Sequence, residues 1–219
     1  MNLKPQIREI FIDNDKIVTI SDQVFFQTGN DGVHQWESGI VLSRYLLSIN
    51  PIGSILELGS GSGLAGITAS KYTRSTNITM TDFNRTVLDN IQENILKNSA
   101  RARVVYLDWR DVTTYTNPAD IVIGSDLIYD GAPIQDLVRT ILHHMNENGV
   151  CYIVMPDKRK MTPVFLEEAE RAGLDVVAME LKDWFTCSPH RDVQKGFRDF
   201  AELTMRKYFL YTLTRKSNI

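Results

Sequence analysis

The sequence predicts an α/β fold: a mostly parallel sheet with helices on both faces, closed at one edge by an antiparallel pair of strands. Three features predict it. Short β-rich runs alternate with helical patterns over residues 54–172. A glycine-rich turn joins the first of those strands to its helix. The last two β-rich runs, 174–181 and 208–214, follow one another with no obvious amphipathic crossover, so they are expected to pair antiparallel.

Taken in order, residues 7–12 and 16–20 are β-rich and separated by Asp13-Asn14-Asp15, which reads as a hairpin. Phe25 and Phe26 extend a further strand before a turn at Asn30-Asp31-Gly32. Over 36–49, Trp36, Ile40, Val41, Tyr45, Leu46 and Ile49 recur at helical spacing, and Pro51 and Gly53 stop that helix. Strands follow at 54–58, 77–81, 103–107, 121–124 and 150–155, with helices at 63–71, 87–98, 134–145 and 163–172. With the final pair, the main sheet has seven strands. The expected division is an N-terminal β-hairpin extension, 1–31, and one main domain, 32–219, with no linker-like composition between them.

The chain has 219 residues, 43% of them hydrophobic, enough to bury a large core; a disordered chain, a collagen-like repeat and a disulfide-framework miniprotein are excluded. Its 24 basic and 27 acidic residues leave a net charge of -3, so no nucleic-acid partner is expected. Cys151 and Cys187 lie far apart and read as free thiols of a reducing compartment. No apolar run approaches membrane-span or signal length. A cytoplasmic protein, with the nucleus as alternative, no membrane partner and a monomeric state are the expectations.

The most informative segment is Glu57-Leu58-Gly59-Ser60-Gly61-Ser62-Gly63-Leu64-Ala65-Gly66. Glycine permits positive φ and close approach of a ligand to the backbone, and the free N–H groups of a helix start face that ligand. Read from Gly61, the string satisfies the G-x-G-x-x-G dinucleotide fingerprint. Read from Glu57, it is E-x-G-x-G-x-G, the nucleotide loop of S-adenosylmethionine-dependent methyltransferases. The second fits the spacing better, because Gly59 already stands at the strand end, where a dinucleotide fingerprint puts its first glycine. Asp82 follows the next strand at the carboxyl edge of the sheet, where a carboxylate can accept from both hydroxyls of a ribose. It serves either nucleotide; its rival role is a helix cap, for which Thr81, Asn84 and Thr86 compete.

Other strings narrow the field: Trp36 in G-V-H-Q-W-E-S-G before the glycine loop, Leu107-Asp108-Trp109 after the third strand, and Gly124-Ser125-Asp126-Leu127-Ile128-Tyr129 after the fourth. With the glycine loop and Asp82, the chain resembles the seven-β-strand protein-lysine methyltransferases of the methyltransferase-16 type, over about residues 32–174. That group includes enzymes acting on elongation factors, chaperones and calmodulin. The resemblance implies a Rossmann-like methyltransferase sheet, S-adenosyl-L-methionine as cofactor, S-adenosyl-L-homocysteine as product, and a protein substrate of the translation-factor, chaperone or calmodulin-like kind. It implies that Gly59, Gly61 and Gly63, with Glu57 and Ser60, cradle the cofactor. Asp82, with Phe83 beside it, would hold the ribose, and Trp109, beside Asp108, would pack on the adenine. Ser125 would line the pocket and Trp36 would cover it, while Asp126 and Tyr129 would stand at the methyl-transfer mouth as catalytic residues. No substrate-specific signature is recognised after Met155.

A lysine with a pKa of about 10.4 must lose a proton before it can attack, to water or to a carboxylate such as Asp126. Small-molecule methylation, a histidine acceptor, a cofactor-binding pseudoenzyme and a dinucleotide oxidoreductase are the alternatives. D-L-I-Y lacks the prolines of the [DN]-P-P-[YF] string of base and glutamine methyltransferases. Asp126 and Asp130 could mimic a magnesium site, but no metal is expected; adjacent His143 and His144, and Cys187 with His190, are no ligand set. Lys158-Arg159-Lys160 reads as a solvated loop, near the cofactor edge in the resembled fold. Trp184 is expected to serve core or lid packing.

Overall fold

A computed structural model describes residues 6–22 and 34–216. The strand extension at Phe25 and Phe26, the turn at Asn30-Asp31-Gly32 and the division between residues 31 and 32 lie outside the described residues. The main sheet follows from the alternation: β3 (Ile52–Leu58), α2 (Leu64–Tyr72), β4 (Arg74–Asp82), α3 (Arg85–Lys97), β5 (Ala102–Tyr106), β6 (Ala119–Ser125), α4 (Ile134–His144), β7 (Met145–Pro156) and α5 (Thr162–Arg171). The chain begins with β1 (Gln6–Phe11), β2 (Ile17–Asp22) and α1 (Glu37–Ile49), and ends with β8 (Leu174–Leu181), α6 (Val193–Asp199), α7 (Glu202–Met205) and β9 (Tyr208–Arg215). Seven strands form the sheet in the order β5-β4-β3-β6-β7-β9-β8. β3 pairs parallel with β4 and β6, and β9 runs antiparallel between β7 and β8. The expected architecture is therefore present: parallel, with an antiparallel C-terminal pair.

Strand order reverses beside β3, so the crevice beyond its carboxyl end is the ligand position of an open α/β sheet. Two strands begin earlier than their apolar runs. β4 starts at Arg74, its polar first residues pairing with Ile52, Gly53 and Ser54; the register then slips at Asn77, which takes the left-handed conformation (φ 53°) as the extra residue of a bulge. β7 starts at Met145, opposite Ala119, and its register slips before Val150 meets Ile121. The polar stretch before β9 folds into α6, capped by the Asp192 side chain, and α7, more helix than the sequence promised.

One core cluster buries Ile40, Leu46, Ile67 and Ile91 of α1–α3 against the sheet, and the other buries Leu137, Ile141, Phe165 and Ala169 of α4 and α5 on the opposite face. The β1–β2 hairpin adds Ile10, Ile12, Val18 and Ile20 to the first cluster. It is bonded to α3 where Asn94 Oδ1 accepts from Ser21 N (2.8 Å) and Asn98 Oδ1 from Thr19 N (2.9 Å). Arg44 of α1, fully buried, donates to the carbonyls of Phe11 (3.2 Å), Ile12 (3.1 Å), Phe185 (3.0 Å), Cys187 (2.9 Å) and Ser188 (3.4 Å). That clasp joins the first hairpin to the segment before α6, with Trp184 partly exposed beside the guanidinium. Cys151, buried, and Cys187, exposed, are free.

Candidate active site

β3 delivers the chain to the crevice, and the turn from Gly59 to Gly63 carries it into α2. Gly59 (φ 55°), Gly61 (φ 55°) and Gly63 (φ 84°) all adopt the left-handed conformation that side chains resist. Space matters as well: a Cβ on Gly59 would stand 2.9 Å from Leu127, and one on Gly63 2.6 Å from Met80. Ser60 ties the turn to β4, its N–H donating to Thr81 O (2.8 Å) and its hydroxyl accepting from Thr81 N (3.0 Å). The Ser62 hydroxyl donates to the Gln35 side chain, and Asn94 donates to Ser62 O (2.9 Å).

The turn is the floor of a cleft open to solvent, which Glu57, Gly59, Ser60, Gly61 and Ser125 line together with Leu64 and Ala65. The opposite wall is His34, Gln35, Trp36 and Gly39, at the start of α1. Of these, only Trp36 was singled out from the sequence. Gln35 and His34 carry no periodic or motif signal; their position comes from Asp22 at the end of β2, whose Oδ1 accepts from Gln35 N (3.3 Å) and meets His34 Nδ1 at 3.2 Å. Asp22 is in turn held by buried Arg8 at 2.8 Å.

Two buried carboxyls stand under the turn. Glu57 accepts from Gly66 N (3.1 Å), and burial pushes its pKa up to about 8 against the opposing bonds from Ser60 and Gly66. Gly66 allows this closeness, because a Cβ there would lie 2.6 Å from Glu57 Oε2. Asp82 accepts from Asn84 N (3.0 Å) through Oδ1 and from Gly61 N (3.4 Å) through Oδ2; burial also raises its pKa, and these N–H bonds oppose the rise. Asn84, not Asp82, caps α3.

Trp109 is brought to the same place, its ring edge 3.5 Å from a Cβ built on Gly59. Phe83 is half exposed beyond β4, and the Asp108 carboxylate closes its own turn by accepting from Arg110 N (3.0 Å); neither lines the cleft. Asp82 and Trp109 are also outside the cleft lining, but each stands against the glycine turn, through Gly61 N and beside Gly59. A carboxylate there can take ribose hydroxyls, an indole can take a purine, and a turn of bare glycines can take a chain passing close to the backbone. The residues present therefore fit a nucleotide such as S-adenosylmethionine.

Beyond Ser125, Asp126 takes the left-handed conformation (φ 57°) and donates its N–H to Val154 O (2.9 Å). Its largely buried carboxylate meets the Arg159 guanidinium at 2.6 Å. Burial raises the Asp126 pKa, and Arg159 is the chief opposing influence. Arg159 is thus the ion-pair partner of Asp126 and not part of a solvated basic loop. Burial also raises Glu37 in the first turn of α1, with the charges of Glu202 and Asp126 adding to it, and raises buried Tyr208 of β9. Tyr129 is partly exposed. Asp130 pairs with Lys160 (3.4 Å), so the acids that might have mimicked a metal site face separate cations. Among the described residues, no group of three or more His, Cys, Asp or Glu could hold a metal ion. No helix among them is long and apolar enough to cross a membrane.

Comparison with known proteins gives the context of this cleft. The chain is 27% identical to the protein-lysine N-methyltransferase EEF2KMT of Mus musculus over 229 aligned residues, covering 93% of this chain and 66% of that protein. It is 33% identical to the protein N-lysine methyltransferase METTL21A of Xenopus tropicalis, over 52% of this chain and 56% of that one. The chain thus spans less than two thirds of either relative's length. Among solved structures, a methyltransferase from Pyrococcus furiosus shares the fold with a TM-score of 0.59 at 18% identity, covering 80% of this chain and 83% of that one. The family model described as lysine methyltransferase matches residues 14–172, from the first hairpin through α5, and the chain belongs to that family.

Proposed function

We propose that this protein transfers a methyl group from S-adenosylmethionine to a lysine side chain of a protein substrate. The observation that carries the reading is the turn of three left-handed glycines between buried Glu57 and Asp82, in a chain of the lysine methyltransferase family. Family membership also favours the methyl donor over a redox coenzyme. The dinucleotide fingerprint matched because Gly66 brings α2 close to the sheet, as the last glycine of that fingerprint does.

When bound, S-adenosylmethionine supplies a methyl group activated by a sulfonium. Gly59, Gly61 and Gly63 hold the donor against bare backbone, and Asp82 accepts from the ribose hydroxyls, each charge-assisted bond contributing about 1.5–3 kcal/mol. Trp109 packs on the adenine and Trp36 covers the cleft from α1. Glu57 orients the turn through Gly66. Asp126 takes a proton from the acceptor ammonium, and Tyr129 steadies that cation through its ring, a contribution of about 0.5–2 kcal/mol. Positioning in line supplies the rest, up to about 7–11 kcal/mol in favourable cases.

The named activities of the two relatives support a protein acceptor, and a translation factor, a chaperone or a calmodulin-like protein is the class we propose. Incubating the protein with methyl-labelled S-adenosylmethionine and a cell extract tests this. A labelled protein band that converts to methyl-lysine on hydrolysis, and that Asp82→Ala removes, is expected. Label in small molecules alone, in histidine, or in nothing despite donor binding would overturn it.

A further inference from the structure

We infer that Arg159, in the loop between β7 and α5, is a positioning residue that holds Asp126 ready to take the acceptor's proton. The inference rests on the methyl-transfer reading above and adds a residue to it.

The geometry is a single-point grip. Arg159 Nη2 lies 2.6 Å from both carboxylate oxygens, donating a hydrogen bond to Oδ2 and forming an ion pair with Oδ1. One nitrogen thereby holds both oxygens and fixes the carboxylate against the β7–α5 loop. Both partners are anchored in backbone: Asp126 N donates to Val154 O (2.9 Å), and Arg159 O accepts from Thr162 N (3.1 Å) at the start of α5. Asp157 N, two residues before Arg159, donates to Lys207 O (2.8 Å) and ties the loop to the chain entering β9.

The charges around Asp126 explain why a cation is needed. α7 presents Glu202, with Arg206 just beyond its end; α1 presents Glu37; β9 presents the Tyr208 hydroxyl; the β7–α5 loop presents Arg159. Arg206 is engaged by Glu202 at 3.0 Å, so the nearest positive charge left to Asp126 is Arg159. A carboxylate taken out of water next to two further acids would otherwise keep its proton and could not accept another. With Arg159 in place, an Nζ–H bond of the acceptor ammonium breaks, an O–H bond forms at Asp126, and the freed lone pair is the nucleophile. Solvent then takes the proton from the carboxyl. The guanidinium also faces the arriving ammonium as a like charge and favours its neutral form.

The test follows Asp126 itself and the reaction in parallel. Carbon-13 spectra of the carboxyl carbons, with Asp126 assigned by its loss in Asp126→Asn, are titrated in the whole protein and in Arg159→Gln and Arg159→Lys. Label transfer from S-adenosylmethionine into extract proteins is measured over the same pH range, and donor binding is measured by calorimetry. The Asp126 titration should move up by about 1–3 pH units in Arg159→Gln, the effect of an opposite charge within contact. The acid limb of transfer should move with it, Arg159→Lys should restore most of both, and donor affinity should stay within about twofold. An Asp126 titration that does not move, or a transfer rate lowered equally at every pH, overturns the inference. If Arg159→Gln does not fold, an Arg159→Lys protein whose titration and acid limb depart from those of the unaltered protein by as much as a lost charge would overturns it too. A moved titration with no labelled protein in any extract would instead sink the methyl-transfer reading and leave the Arg159–Asp126 coupling intact.

Discussion

On the β3 side of the crevice, one turn from Gly59 to Gly63 and the carboxylates just before and beyond it make the floor. On the β6 side, Asp126 meets groups from α1, the β7–α5 loop, α7 and β9. The first region is built mainly of backbone whose shape is dictated locally, because only glycine tolerates three left-handed positions against Leu127 and Met80 at no steric cost. The second is built of side-chain charges whose values depend on one another across the fold. The difference teaches that a backbone cradle can be written into a short string, whereas a cluster of mutually dependent charges is a property of packing.

That contrast can be broken experimentally. The largest effect is expected at the mouth: Asp126→Asn should lower turnover at least about 100-fold, the scale of a lost general base, with S-adenosylmethionine affinity unchanged in calorimetry. Equal losses in turnover and affinity would mean that the two regions are not separable. Next, Asp82→Ala should weaken S-adenosylmethionine binding about 100-fold, as expected for two charge-assisted bonds. An unchanged dissociation constant would remove the ribose from Asp82. The smallest effect sharpens the floor's electrostatics. Because the buried Glu57 carboxyl titrates at about 8, the folded protein keeps a proton there that the unfolded chain loses near pH 4.3. The stability linked to that proton is complete below about pH 4.3 and is lost as pH rises through about 8, by up to about 1.4 kcal/mol per unit. Denaturant titrations of Glu57→Gln should lack that slope; the same slope in both proteins would show that Glu57 is ionised beneath the turn.

The same contrast explains what could be read in the sequence. The strand–helix alternation marked every strand of the main sheet, since buried parallel strands and amphipathic helices differ in period, and misjudged only ends such as Arg74 and Met145, where polar residues extend the pairing. Glu57, the glycines, Asp82 and Trp109 were legible because each stands at a fixed step from a strand end. Gln35 and His34 were not, because Asp22 and Arg8 place them through a buried chain of contacts that no spacing announces. Arg159 was visible only as one of three adjacent basic residues. Lys158 and Lys160 remain at the surface while it alone turns inward to Asp126.

Arg44 carries a consequence for how the molecule comes into being. Its guanidinium needs the carbonyls of Phe185, Cys187 and Ser188, and a charge removed from water without such partners is strongly disfavoured. During synthesis these carbonyls leave the ribosome well after α1. Until then the helix that supplies one wall of the cleft cannot seat its arginine. The glycine turn can form early on the growing sheet, but the pocket above it closes only once the late segment arrives, so a nascent chain should be blind to its donor for much of its translation.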